Sequence, residues 1–277
     1  MTLLEEDIMT SLLAWVGVDA RGPASIYMAS DSRISWGSKA QWNYGRKLFA
    51  STKHPDIIGY VGDVLFPSLV LGQIIDLIDN GVLFNSNDTP QERLEKLKRV
   101  IQTTYEYYPN EARQAFTVLY GTRERDKLQS VFHMFTLEFS TDSSDCKVKP
   151  LQLPNTSSHI HILGSGKNTV SRHIQVWQKS SQGGTSRSVF SAFCDSLTSG
   201  EDTFSGGAPQ LVGLYRINPA SAFGIIYNNE RYLLGLPVDE TKGLEEVEWR
   251  NELFERCNWK TKQPLTKAQK QPRPNDL

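Results

Sequence analysis

Cysteine, histidine, net charge and long apolar runs are all scarce in this chain, and each scarcity closes off a class of function. Three cysteines, Cys146, Cys194 and Cys257, are spread over 277 residues with no Cys-x-x-Cys pair. That gives no zinc motif and fits a reducing compartment. Five histidines are scattered. His159 and His161 share one face of an expected strand but lack a matching ligand cluster, so neither a metal nor a cofactor is expected. Lys and Arg number 30 against 31 Asp and Glu, a formal charge of −1, without the basic excess that marks a nucleic-acid partner. No apolar run reaches the roughly 18 residues of a membrane-spanning helix. The acidic start, Met1 to Ile8, lacks the basic-then-apolar order of a signal peptide. The chain is expected in the cytoplasm, with neither nucleic acid nor membrane as partner.

What is present is a dense alternation of strand and helix signals. Residues 1–9 read as a leader or propeptide. Thr10 opens an apolar run to Val18 that reads as a buried strand, and Ala24 to Ser30 reads as its hairpin partner. A polar, aromatic-dotted connection, Ile34 to Tyr44, leads to a strand pair over 47–51 and 57–62. Pro67 then sits in a helix first turn, Leu69, Leu71, Ile74, Ile75, Leu77 and Ile78 follow at helical spacing, and Asn80-Gly81 is a stop. The apolar face around Val70 to Ile78 reads equally as core or as a subunit contact. Thr89-Pro90-Gln91-Glu92 starts a second helix.

Strands are expected over 115–121, 131–139, 146–153 and 159–163, helices over 168–180 and 186–199, and strands over 210–217, 222–227 and 232–236. Strands, two helices, strands, two helices, strands, joined by short turns, predict an α+β fold. Its form is a four-layer αββα sandwich over residues 10–240, two antiparallel sheets between two helical layers. A helical extension is expected over 241–259 and a disordered tail over 260–277.

Thr10, Asp31 and Lys47 supply the parts of an activated hydroxyl. A threonine hydroxyl is a poor nucleophile until a base takes its proton, and the α-amine of a residue-one threonine is one such base. That amine titrates near 8. A neighbouring ammonium lowers the amine and hydroxyl pKa values, and a carboxylate holds the ammonium in place. Any chain of this size contains such residues, so their spacing alone assigns nothing. Gly62 closes the strand after Lys47, where a backbone N–H can face an oxyanion. Gly164-Ser165-Gly166 is a strand-to-helix turn without the downstream lysine of a phosphate loop. Asp202-x-x-Ser205-Gly206-Gly207 follows a helix and precedes a strand.

Together these residues resemble the proteasome β-type subunits and the related bacterial ATP-dependent peptidase, within the N-terminal-nucleophile (Ntn) hydrolases. The resemblance rests on Thr10 at a strand start, Asp31-Ser32-Arg33, Lys47 sixteen residues after that aspartate, Gly62, Gly164-Ser165-Gly166 and Asp202-x-x-Ser205-Gly206. It covers about residues 10–236. It implies a threonine peptidase in which Thr10 is exposed by removal of residues 1–9, with Asp31, Lys47 and Gly62 in the roles above. Ser165, Asp202 and Ser205 would form a supporting proton network, with Arg33 and Gly206 bracing it. Gly45, Tyr60 and Val64 would line the pocket for the residue before the cut. The family further implies a peptide or unfolded-protein substrate, a homo-oligomeric ring and a separate ATPase unfoldase. Met9 stands where self-processed subunits carry glycine, the Thr10–Asp31 hairpin is about five residues longer than is typical of the family, and Lys47 to Gly62 is one residue longer. Two alternatives remain open: an amidohydrolase of the same fold acting on a small non-peptide amide, and a non-catalytic scaffold subunit that retains residues 1–9.

Overall fold

The computed structural model describes residues 10–37, 40–125, 127–141, 146–239 and 243–274. The expected leader lies outside these residues. Strands β1 (Leu12–Asp19) and β2 (Gly22–Ser30) form the opening hairpin, and a small ribbon of β3 (Ile34–Trp36) and β4 (Ala40–Trp42) follows. Next come β5 (Leu48–Ala50), β6 (Asp56–Gly62), α1 (Leu65–Asp79) and α2 (Pro90–Glu106). A strand series β7 (Phe116–Glu124), β8 (Val131–Phe139), β9 (Cys146–Pro150) and β10 (Ser158–Leu163) leads to α3 (Lys167–Lys179) and α4 (Ser186–Ser199). The chain then forms β11 (Gln210–Tyr215), β12 (Ser221–Ala222), β13 (Gly224–Tyr227), β14 (Glu230–Leu233), β15 (Leu236–Pro237), β16 (Trp249–Asn251) and β17 (Arg256–Cys257).

Two five-stranded sheets, ordered β10-β1-β2-β11-β12 and β5-β6-β7-β8-β9, carry the architecture, and every pairing in them is antiparallel. Period-two alternation of side chains makes them a sandwich. From β1, Leu12, Ala14 and Val16 join Leu48, Ile57, Val61 and Leu119 of the other sheet in the central core. Leu13 and Trp15, pointing the other way, pack with Val170, Ile174, Trp177, Phe190 and Phe193 of the α3–α4 layer. Ile58, Tyr60, Val118 and Leu137 on the far face of the second sheet meet α1 and α2 through Leu71, Ile74, Leu97 and Ile101. These three cores between four layers are the αββα arrangement. Val70, Ile74, Ile75 and Ile78 belong to the core, and it is Leu65, Leu69 and Leu77 that α1 leaves exposed.

Local chemistry explains the ends of the helices. Thr89 and Glu92 form a reciprocal capping box at the start of α2, with Pro90 in its first turn. Asp63 accepts from the amides of Leu65 and Phe66 at the start of α1, which otherwise lack intrahelical partners.

The C-terminal region departs from expectation. No α-helix occurs in the described part of 241–259; a short 3-10 turn, Leu244–Glu246, precedes β16 and β17. These strands extend a third sheet, β15-β14-β13-β16-β17, in which β13 and β16 run parallel. The apolar residues whose spacing imitated a helix are used differently: Leu244 and Trp249 pack with Ile226, while Phe254 reaches the α3–α4 core. In the stretch 260–274, expected to be disordered, Pro264 bridges to Cys257 and residues 269–273 form a strap on α4. Gln271 is buried, donating its side chain to Ser191 Oγ (2.6 Å) and its amide to Glu255 Oε1 (2.8 Å). Arg273 pairs with Asp195.

All three cysteines are free and buried. Burial pushes the Cys146 thiol up to about 12 and the Cys257 thiol up to about 11, and moves Cys194 well above its ordinary range. Thiolate is the reactive form, so native protein should resist iodoacetamide at neutral pH and take up label at all three positions in denaturant, counted by intact mass. Separately, Thr89→Ala should lower stability by about 1 kcal/mol, read from urea unfolding.

Candidate active site

The site forms where β1 begins, β2 ends and β5 begins. Leu12 pairs with Ser30, so the residues just outside that pair, Thr10-Ser11 and Asp31, lie side by side at one end of the first sheet. Lys47 enters from the strand start of the second sheet. Its Nζ donates to Asp31 Oδ1 at 2.7 Å and to Thr10 Oγ1 at 3.0 Å. Lys47 and Asp31 are both 0% exposed and Thr10 is 1% exposed. Burial pushes the Lys47 ammonium below its usual range, against the opposing pull of the Asp31 carboxylate.

Asp31 is held from every side. Oδ1 also accepts the Ser11 amide, and Oδ2 accepts the amides of Arg33 and Gly206, each at 3.0 Å. A buried charge survives only when paired and hydrogen-bonded, and these four donors do both. Arg33 itself spans two loops, donating from Nε to Asn43 Oδ1 and from Nη1 to the Thr203 carbonyl.

A hydroxyl network approaches Thr10 from the opposite side. The Thr10 amide donates to Ser165 Oγ at 3.4 Å, and Ser165 Oγ lies 2.8 Å from Asp202 Oδ2. Ser205 donates to the same Asp202 oxygen at 2.6 Å and lies 2.8 Å from Ser11 Oγ. A hydroxyl has one proton. With the Ser205 proton on Asp202, Ser11 must be the donor in its contact with Ser205. With the Ser165 proton on Asp202, a Ser165 lone pair faces the Thr10 nitrogen.

The Gly-Ser-Gly turn is shaped by these contacts. Gly164 has φ +93°, and a Cβ there would lie 1.8 Å from the Thr10 carbonyl oxygen. A Cβ on Gly166 would lie 1.8 Å from Ser11 Oγ. The two glycines let the turn close onto Thr10-Ser11.

The structure thus brings together Thr10, Asp31, Lys47, Ser165, Asp202, Ser205 and Gly206. Gly62 stands on the neighbouring strand, two residues beyond Tyr60, whose amide donates to the Lys47 carbonyl at 3.3 Å. Its φ of +98° lies in the region that favours glycine, and a Cβ would meet the Ala115 carbonyl oxygen at 2.6 Å. Gly62 and Val64 line a cleft of about 720 Å³ whose other wall is the β3–β4 ribbon. Gly45 and Tyr60, expected in the same pocket, do not line it. Gly45 is packed on Ile34, and Tyr60 is a core residue whose hydroxyl donates to the Arg46 carbonyl at 3.2 Å. Burial, and after it the Asp63 and Asp31 carboxylates, hold that hydroxyl above its ordinary range.

Two residues of the site escaped sequence reasoning. Ser11 was visible as a second hydroxyl beside Thr10, yet only the fold reveals its bond to Ser205. Gln210, 0% exposed, carries no sequence signal. Its Oε1 accepts the Lys47 amide at 3.0 Å, and its Nε2 donates to Gly45 O, Ser32 Oγ and Asp31 O. One side chain therefore ties the β5 start to the β2 end. Among the described residues no three His, Cys, Asp or Glu side chains group as a metal would require.

No protein-family model matches this sequence, and no curated protein matches it. Among solved structures, the crystal structure of eukaryotic HslV from Trypanosoma brucei is similar over 74% of this chain and 99% of that one, with 11% identity and a TM-score of 0.45.

The fit between Gly166 and Ser11 is open to a double-mutant cycle. Gly166→Ala should destabilise by about 1–3 kcal/mol, and adding Ser11→Ala, which removes the clashing oxygen, should return part of that loss. Denaturation midpoints of the four proteins measure the coupling.

Proposed function

We propose that the chain is a threonine-type amide hydrolase of the proteasome-like Ntn class, acting on peptides once Thr10 is its first residue. The observation that carries this reading is the Lys47 Nζ contact: one buried ammonium touches both Thr10 Oγ1 and Asp31 Oδ1. A purely structural ion pair has no need of the hydroxyl of a strand-start threonine.

The chemistry follows from the contacts. In the full chain the Thr10 nitrogen is an amide, which is no base. Cleavage of the Met9–Thr10 bond turns it into an amine that can be neutral near pH 8. Lys47 donates to Oγ1, so the hydroxyl's own proton is directed elsewhere and passes to the amine. Oγ1 then attacks the substrate carbonyl carbon, and the Lys47 charge stabilises the oxygen as it loses its proton. The carbonyl electron pair moves to its oxygen, which the Gly62 N–H would receive. Collapse of this intermediate breaks the C–N bond, the ammonium returns its proton to the leaving amine, and an ester on Thr10 remains. Water, deprotonated by the same amine, hydrolyses that ester. Ser165, its own proton committed to Asp202, orients the amine by accepting from it.

A homo-oligomeric ring, a separate ATPase unfoldase and a cytoplasmic setting belong to this proposal through the sequence resemblance alone. Exposure of Thr10 is its first step, either by self-cleavage of residues 1–9 or by an aminopeptidase that removes Met9 after initiation there.

Intact mass and N-terminal sequencing of purified wild type beside Thr10→Ala test the reading. Wild type should begin at Thr10 and cleave a fluorogenic peptide, and Lys47→Met should reduce turnover about 10²-fold or more. Loss of residues 1–9 in wild type alone marks self-processing. Retention of Met1 in both proteins, with no turnover, would instead support the scaffold alternative.

A further inference from the structure

The cleft beside Gly62 has a chemical preference of its own. In the β3–β4 ribbon Ile34 pairs with Trp42 and Trp36 with Ala40. Directly paired residues share a face, and so do residues two apart. Ile34, Trp36 and Trp42 therefore project from one face, and all three line the cleft. Gln41 anchors the ribbon from its other face, its Nε2 donating to the Thr203 carbonyl at 3.0 Å, and Ser35 is buried at the edge of the cleft. Val64 and Leu65, at the start of α1, stand among the remaining lining residues.

Trp36, Trp42 and Leu65 remain 60%, 46% and 57% exposed, although each has a large apolar area whose covering is favourable at about 25 cal/mol per Å². Among the described lining residues Asp63 bears the one charge, and its two carboxylate oxygens already serve the Leu65 and Phe66 amides. A carboxylate entering here would lose water and meet a like charge, and a cation would reach only a buried carboxylate already turned to two amides. The space expected deeper in, between Gly45 and Tyr60, is filled by Ile34 and by the Tyr60 ring's place in the core. Open volume thus lies toward the ribbon.

We propose that this cleft seats a large uncharged side chain of the substrate, aromatic or branched aliphatic, and that Trp36 and Trp42 set that preference. The assignment rests on the amide-hydrolase reading for its substrate class. Gly62 supplies the link, because it belongs both to the cleft wall and to the strand paired with the Lys47 strand.

Binding is measured on the full chain carrying Thr10→Ala, so that no turnover is required. The probes are the N-acetyl amides of phenylalanine, leucine, arginine and glutamate, followed by saturation-transfer NMR. The phenylalanine and leucine amides should bind about tenfold or more tightly than the charged pair, a difference of about 1.4 kcal/mol. Trp36→Ala combined with Trp42→Ala should erase that advantage. Both side chains are exposed, so the fold should persist, and a thermal melt checks it. Leu65→Glu leaves the indoles in place, sets a carboxylate in the cleft and should favour the arginine amide over phenylalanine. Equal binding of all four amides, or an advantage that survives loss of both tryptophans, overturns the assignment. Selective binding without turnover in wild type that begins at Thr10 counts against the hydrolase reading and leaves the cleft preference standing.

Discussion

The buried contact between Lys47 and Asp31 is the constraint to which the rest of the structure answers. Two opposite charges at 2.7 Å with no exposure gain Coulomb energy but lose hydration, and removing either partner from such a pair costs about 3–5 kcal/mol. The surrounding chain is built to hold the pair together. Backbone amides from three separate segments, at Ser11, Arg33 and Gly206, converge on one carboxylate. The lysine comes from the other sheet, so the pair also fixes how the two sheets meet at this end of the sandwich. Position and charge state of the Thr10 environment are consequences of that joint.

Much of the fold is legible in the sequence because both faces of its sheets are buried. Runs such as Leu12 to Val16 are apolar at every position, and their alternate side chains feed two different cores. Helix boundaries are legible where capping chemistry is explicit, as at Thr89-Pro90-Gln91-Glu92. The candidate site is legible to the extent that its residues sit at element ends, where Thr10, Asp31, Lys47 and Ser165 all lie.

What escaped the sequence did so for identifiable reasons. The β3 and β4 strands have three residues each, too few to display a period, so the ribbon reads as a connection. Leu244, Val247, Trp249, Leu253 and Phe254 match helical spacing, but a turn and two short strands distribute them between separate cores. Gln210 is a polar residue at a strand start, and nothing local announces that its amide will bridge backbone groups some 165 residues away. Tyr60 is expected at a pocket only through the family resemblance, and in the fold it packs in the α1–α2 core instead.

The strap of residues 269–273 gives the second helical layer a dependence on chain order. Asp195 holds the Trp177 indole with one oxygen, at 2.7 Å, and Arg273 with the other. Ser191 and Glu255 likewise take their partners from Gln271. During synthesis α3 and α4 emerge long before those partners, and domains begin to fold as their chain becomes available. Until the strap arrives, a carboxylate at the heart of this layer faces its surroundings without its cation. Arrival of residues 269–273 is thereby written into the packing of helices formed much earlier, and a polypeptide interrupted after Lys260 would carry the mark of their absence on α4.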